Sequence, residues 1–271
     1  MATGLIMRGK RAIGVDFRQN GRMRKAMAHT EVILSAGAIQ SPQLLQLSGI
    51  GPRALLQSLE VPVVHELPGV GENLQDHLQI RLSFECSKPI TTNDQLNSWI
   101  GTTKLGLEWL FYRSGPLAVG INQGGCFMRA LKNADGSPAA STPDIQFHVS
   151  TLSADMAGGK VHPYSGFTMS VCQLRPESRG HVRIRSRDPF APPAMQPNYL
   201  STELDQRTNV AAIRSARQIA QSAAMAPYVK REVKPGPSMQ SDEELLEFCR
   251  DNGIEKPPMV KSFKATGLTP A

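Results

Sequence analysis

Residues 37–51 read Gly-Ala-Ile-Gln-Ser-Pro-Gln-Leu-Leu-Gln-Leu-Ser-Gly-Ile-Gly and follow a nearly continuous apolar run at 30–36. Ser35, Ala36, Gly37 and Ala38 are small, so a flat ligand could lie against backbone there. The same residues would also let a strand pack closely on the following helix, and composition alone leaves both readings open. A second glycine-rich stretch, Gly69-Val70-Gly71-Glu72-Asn73-Leu74, carries the first two glycines of a dinucleotide-binding fingerprint. Leu74 stands where the third belongs, and no strand pattern precedes it. The chain contains no G-x-x-x-x-G-K-[ST], no H-E-x-x-H and no G-x-S-x-G, which removes the sequence support for three common enzyme classes. Cys86, Cys126, Cys172 and Cys249 are widely spaced, with no C-x-x-C, so no metal site or redox dithiol is indicated. Four buried thiols in a reducing, cytoplasmic compartment are expected instead.

The elements that must hold these residues follow from periodicity. Residues 11–17 alternate, Asn20-Gly21 supplies a tight turn, and 22–28 should return antiparallel. The run at 30–36 reads as a strand buried on both faces. Ser41-Pro42 should open a helix that Gly49 closes, and a short helix is expected over 53–59. Beyond a turn-rich joint at 68–77 the pattern changes. Residues 80–86, 125–129, 144–152, 166–174 and 181–186 read as strands with few helices between them, hence an antiparallel sheet. In the last of these, Val182 and Ile184 should be buried while Arg183 and Arg185 face water. Helices are expected at 96–112, with Leu105, Trp109 and Tyr112 on one side, and at 201–224. A third is expected from the capping box Ser241–Glu244 to Gly253. Residues 254–271 show no apolar periodicity and read as an unpacked tail.

The chain has 271 residues, 40% of them hydrophobic, enough for a sizeable core. Its net charge of +7 is concentrated at the ends: residues 1–25 hold seven Lys or Arg against Asp16, and 255–271 hold three Lys against Glu255. A near-neutral body with 6% aromatics does not suit a nucleic-acid groove. No segment approaches the length of an apolar membrane span.

Residues 37–51 match every fixed position of the second signature of the glucose-methanol-choline (GMC) family of flavin-dependent alcohol oxidoreductases. Residues 69–77, Gly-Val-Gly-Glu-Asn-Leu-Gln-Asp-His, resemble the family's G-V-G-x-N-L-x-D-H element. Similarity to choline-dehydrogenase-like members continues through Gly115-Pro116-Leu117, Gln123-Gly124-Gly125-Cys126-Phe127 and residues 174–189. The resemblance implies an α/β plus α+β chain. Residues 1–77 would be the later part of an FAD-binding, Rossmann-like domain, 78–253 a substrate domain with an antiparallel sheet and flanking helices, and 254–271 the tail.

The resemblance further implies that Ser35, Ala36, Gly37 and Ala38 contact FAD and that Asn122 and Gln123 lie in a segment facing a small alcohol substrate. Asn122 and Gln123 would equally suit a polar pair at a sheet edge. Family members carry an upstream glycine-rich loop for the FAD pyrophosphate and a downstream H-P-x-G-T segment. Neither pattern occurs here, and no histidine follows His181. No catalytic residue is therefore assigned, and His77, His148 and His181 are expected to be structural. The expected activity, hydride transfer from a CH–OH group to flavin, would then be lacking in the isolated chain. A complementary chain could complete a split enzyme, and a non-catalytic binding module is the third reading.

Overall fold

The computed structural model describes residues 1–155 and 159–252, which divide into two compact units. The first takes in Met1–Asp76 and Ser178–Tyr199, and the second His77–Glu177 and the described residues from Leu200 onward. The return of 178–199 to the first unit has no counterpart in the uninterrupted 78–253 segment read from sequence.

The first unit opens with an antiparallel meander of β1 (Ala2–Arg8), β2 (Arg11–Gln19) and β3 (Arg22–Met27). Asn20 and Gly21 turn β2 into β3 at φ 50° and 77°, as the Asn-Gly pair requires. Helix α1 (Gly37–Leu47) follows, and then β4 (Ile50–Gly51), α2 (Arg53–Ser58) and β5 (His65–Glu66), with β4 and β5 parallel. Leu56, Val61 and Ile184 form the core beneath them. Strand β6 (Glu72–Leu74) ends this stretch.

The second unit begins with β7 (Gln79–Cys86), α3 (Thr92–Leu96) and α4 (Trp99–Tyr112), then β8 (Asn122–Met128), β9 (Ile145–Ser150) and β10 (Gly166–Gln173). After β11 (Gly180–Arg183), which pairs with β6 in the first unit, and β12 (Ala194–Gln196), which pairs with β11, come α5 (Glu203–Ala220), β13 (Val229–Lys234) and α6 (Asp242–Asn252). The main sheet runs β13-β7-β10-β9-β8, every neighbour antiparallel. Alternation gives it an apolar face of Ile80, Leu82, Phe84, Phe167, Met169, Val171, Ile145 and Phe147, all at most 6% exposed. Burying each such side chain contributes about 1.5–3 kcal/mol. Helix α5 covers β10 and β7 with Val210, Ile213 and Ala216, and α6 adds Leu245. The capping box that opens α6 forms as the spacing predicts: Glu244 N–H donates to Ser241 Oγ (3.1 Å) and Ser241 N–H to Glu244 Oε2 (2.9 Å). Gly253 and the predicted tail lie outside the described residues.

Four expectations need correction. Residues 30–36 form no strand, and Ile33 is 75% exposed. A strand has no internal hydrogen bonds, and no strand among the described residues pairs with this run. Helix α1 starts at Gly37 rather than at Ser41-Pro42, because Gly37 at φ 85° turns the chain early. The Ser41 hydroxyl then accepts the Ala36 N–H (3.1 Å) instead of capping from outside. The helix expected over 96–112 breaks, and Ser98 caps α4 by accepting the Gly101 N–H at 3.3 Å. Of its predicted inward residues only Leu105 is buried, while Trp109 and Tyr112 are exposed. Finally, Cys126 is exposed, because edge strand β8 is uncovered; the other three thiols are buried.

Candidate functional site

In the first unit, Ser35, Ala36, Gly37 and Ala38 lie together and exposed at the start of α1. Ala36 occupies the N-cap position with no side-chain cap, and no acidic residue stands in the first turn. The leading amides of an uncapped helix point outward with partial positive charge. A Cβ added at Gly37 would meet nothing within 4 Å, so the approach to these amides is open. The arrangement fits one edge of an anionic or dinucleotide group. Behind it, the wholly buried Gln46 fixes the helix: its Nε2 donates to Val70 O (3.1 Å) and Val182 O (2.9 Å), and its Oε1 accepts the Ile184 N–H (2.8 Å).

In the second unit, Asn122 and Gln123 lie at the free edge of the main sheet, on β8. The register slips there: Asn122 opposes Ser150 and Gly124 opposes Val149, which leaves Gln123 as the extra residue of a bulge. The buried Ser150 hydroxyl donates to Asn122 Oδ1 at 2.6 Å. This fixes the amide and leaves its two N–H groups without a hydrogen bond among the described residues. Both residues thus lie exposed at the sheet edge, with the Asn122 amide oriented by Ser150.

The sheet register also brings together residues that no sequence motif marks. Opposite-facing alternation gives a second, polar face on which Arg81, Ser170, His148 and Gly125 form one cross-strand row, next to the row Ser83, Thr168, Ser150 and Asn122. The His148 side chain is half-buried, and its ring nitrogens make no hydrogen bond among the described residues. Gly125 beside it contributes no side chain, so the imidazole has room on that face. The period-two alternation of Gln146, His148 and Ser150 with Ile145, Phe147 and Val149 was the available signal.

The other two candidate histidines, His77 and His181, are engaged structurally. His77 Nε2 lies 3.1 Å from Leu174 O. Burial, and then Arg183, push His181 below the usual imidazole range. Another Ser–His–Asp grouping, with Ser153 Oγ 3.1 Å from His162 Nδ1 and Asp155 3.4 Å from His162 Nε2, is not a nucleophile site. Ser153 is wholly buried, and its hydroxyl also accepts from Asn93 Nδ2.

The N-terminal pattern of the GMC oxidoreductases matches residues 1–79 and the C-terminal pattern matches residues 176–256. The chain belongs to the GMC oxidoreductase family. Among curated family members, the oxygen-dependent choline dehydrogenase of Klebsiella pneumoniae (strain 342) is 42% identical over 250 residues, covering 92% of this chain and 44% of the relative. Oxygen-dependent choline dehydrogenase 1 of Chromohalobacter salexigens is 41% identical over 244 residues, covering 90% of this chain and 42% of the relative. This GMC chain therefore spans less than half the length of those relatives. Two solved structures share its fold. Pyridoxine 4-oxidase from Mesorbium loti is 25% identical with a TM-score of 0.74, over 93% of this chain and 44% of that one. Formate oxidase from Aspergillus oryzae RIB40 is 24% identical with a TM-score of 0.84, over 93% and 48%.

Proposed function

We propose that this chain is part of an FAD-dependent oxidoreductase acting on CH–OH donors, with a small alcohol of the choline-dehydrogenase type as substrate. The observation that carries this reading is the 42% identity to a named choline dehydrogenase over 92% of the chain. FAD, when bound, supplies the hydride acceptor. Ser35, Ala36, Gly37 and Ala38 would hold one edge of it through the open α1 amides. Asn122 would donate hydrogen bonds to the substrate oxygen, with Gln123 beside it on the bulge. His148 would hold or exchange a proton at that oxygen from the polar sheet face.

We further infer that this chain by itself turns over no alcohol; its completion by a complementary chain is the second reading. In support, Ile33 is 75% exposed and no strand among the described residues pairs with residues 30–36, an edge that a further segment could cover. A cytoplasmic location belongs to the same proposal, supported by four unpaired cysteines.

The test is alcohol-dependent dye reduction, with choline and a panel of small alcohols, by the purified chain alone and after co-expression with the remaining segments of the Klebsiella relative. The expected result is a colourless, inactive chain alone and a yellow, active assembly. A yellow chain active by itself overturns the second inference. An assembly that forms yet binds no flavin overturns the first. In an active assembly, His148→Asn should lower kcat/KM by about 10²–10⁴-fold.

A further inference from the structure

We propose that the outward face of α4 is a self-association surface, on which a second copy of this chain packs about a two-fold axis. This inference rests on α4 itself and is independent of the flavin reading.

Helix α4 is unusual for a helix in a folded unit: of its fourteen residues only Leu105 is buried. Its outward face consists of two parallel ridges with four-residue spacing. One contains Ile100, Lys104, Glu108 and Tyr112, and the other runs from Trp99 through Leu107 to Phe111. The aromatic and aliphatic members are 49–79% exposed. Between the ridges lies a groove of about 490 Å³. Ridges with this spacing on one helix fit the groove of another at a crossing angle of about −50°, the commonest packing of helices in globular proteins.

The identity of the occupant follows from the charges. Apolar residues occupy both ends of the face, and Lys104 and Glu108 sit one turn apart at its middle. Neither has an ion-pair partner among the described residues; Glu108 accepts only a weak hydrogen bond from the Ser114 hydroxyl at 3.4 Å. In a two-fold contact, residue i meets j of the second copy while j meets i. An axis crossing the groove midway between Lys104 and Glu108 pairs each lysine with the opposite glutamate. It also sets Ile100 against Tyr112 and brings the two Leu107 side chains together at the centre. One copy thereby satisfies both charges and covers the apolar ends. A lipid surface would have to bury the Glu108 carboxylate among its tails or headgroups, and a partner of one charge sign would repel one of the two residues.

Both tryptophans of the chain, Trp99 and Trp109, are on α4, and Trp99 is 79% exposed and on the proposed contact. The experiment is sedimentation velocity on the full chain over a concentration series, with tryptophan emission read in the same samples. The expected result is a monomer–dimer equilibrium in which emission shifts to the blue and acrylamide quenching falls as dimer forms. Lys104→Glu and Glu108→Lys should each weaken the dimer by roughly tenfold, and the double exchange should restore it. Far-UV circular dichroism and thermal midpoints matching the wild type show that the single variants fold. A chain that stays monomeric at all concentrations with Trp99 freely quenched overturns the proposal. So does a dimer indifferent to both single exchanges, or a monomer that binds phosphatidylglycerol vesicles through this face.

Discussion

Gln46 shows how one side chain can tie together segments far apart in sequence. It lies on α1, is wholly buried, and satisfies the carbonyls of Val70 and Val182 and the amide of Ile184. Gln46→Leu keeps the size and removes all three bonds, leaving buried backbone groups unpaired. Urea unfolding should then show a loss of about 2–4 kcal/mol; a change within about half a kcal/mol would mean that water replaces the amide. His181 gives the first unit a pH dependence. Burial and the neighbouring Arg183 lower its folded pKa, so the unfolded state binds the proton more readily. Its contribution to stability is therefore fully present above the unfolded value of about 6.5 and is lost as pH falls through the lower folded value. Thermal midpoints of the wild type and His181→Asn, measured from pH 8 down to about pH 5, should converge toward the acid end. Equal pH slopes for the two proteins would remove His181 as the cause.

At the scale of elements, motif residues and element ends often coincide, but for reasons that the motif does not state. Gly49, where α1 gives way to β4, sits at φ 80° with a Cβ position only 2.2 Å from the Pro62 carbonyl oxygen. Gly49→Ala should cost on the order of 3 kcal/mol, combining left-handed strain with a backbone clash, as measured by chemical denaturation. A cost below about 1 kcal/mol would show that the 49–64 loop gives way easily. Most strands were legible because alternation is a local property: Ile80, Leu82 and Phe84 already announce which face of β7 is inward. The run at 30–36 was misread for the converse reason. Its composition is that of a buried strand, but a strand exists only through its neighbours, and composition cannot supply them. Strand β13 was missed because Val229–Lys234 is rich in charge. The structure gives those charges partners: Lys230 and Arg231 both bind Glu85 at 2.6 Å, and Arg217 binds Glu232 at 2.9 Å. These contacts hold the Glu85 carboxyl below its usual range, first through Lys230 and then through Arg231.

At the scale of the molecule, thiol reactivity reports what is covered. Of the four cysteines, Cys86, Cys172 and Cys249 are buried and Cys126 is exposed on the outermost strand of the sheet. Burial pushes the Cys249 thiol up to about 12, so little thiolate forms there at neutral pH. Labelling the native chain with a chromogenic disulfide should release one equivalent rapidly and the other three only in denaturant. Cys126→Ser should abolish the rapid phase, and a rapid phase that survives in that variant would place an open thiol elsewhere.

The sequence by itself determined the family, through the fifteen-residue stretch at 37–51, and the strand faces and helix caps that local periodicity encodes. It could not determine which residues share a surface, because that depends on register. Only the pairing of β7, β10, β9 and β8 sets His148 beside Gly125 and one row from Asn122. Only the absence of a covering element among the described residues leaves α4 facing outward. Alternation along a strand is fixed by covalent geometry, whereas proximity across a sheet is fixed by hydrogen bonds between segments tens of residues apart, and no local pattern encodes it.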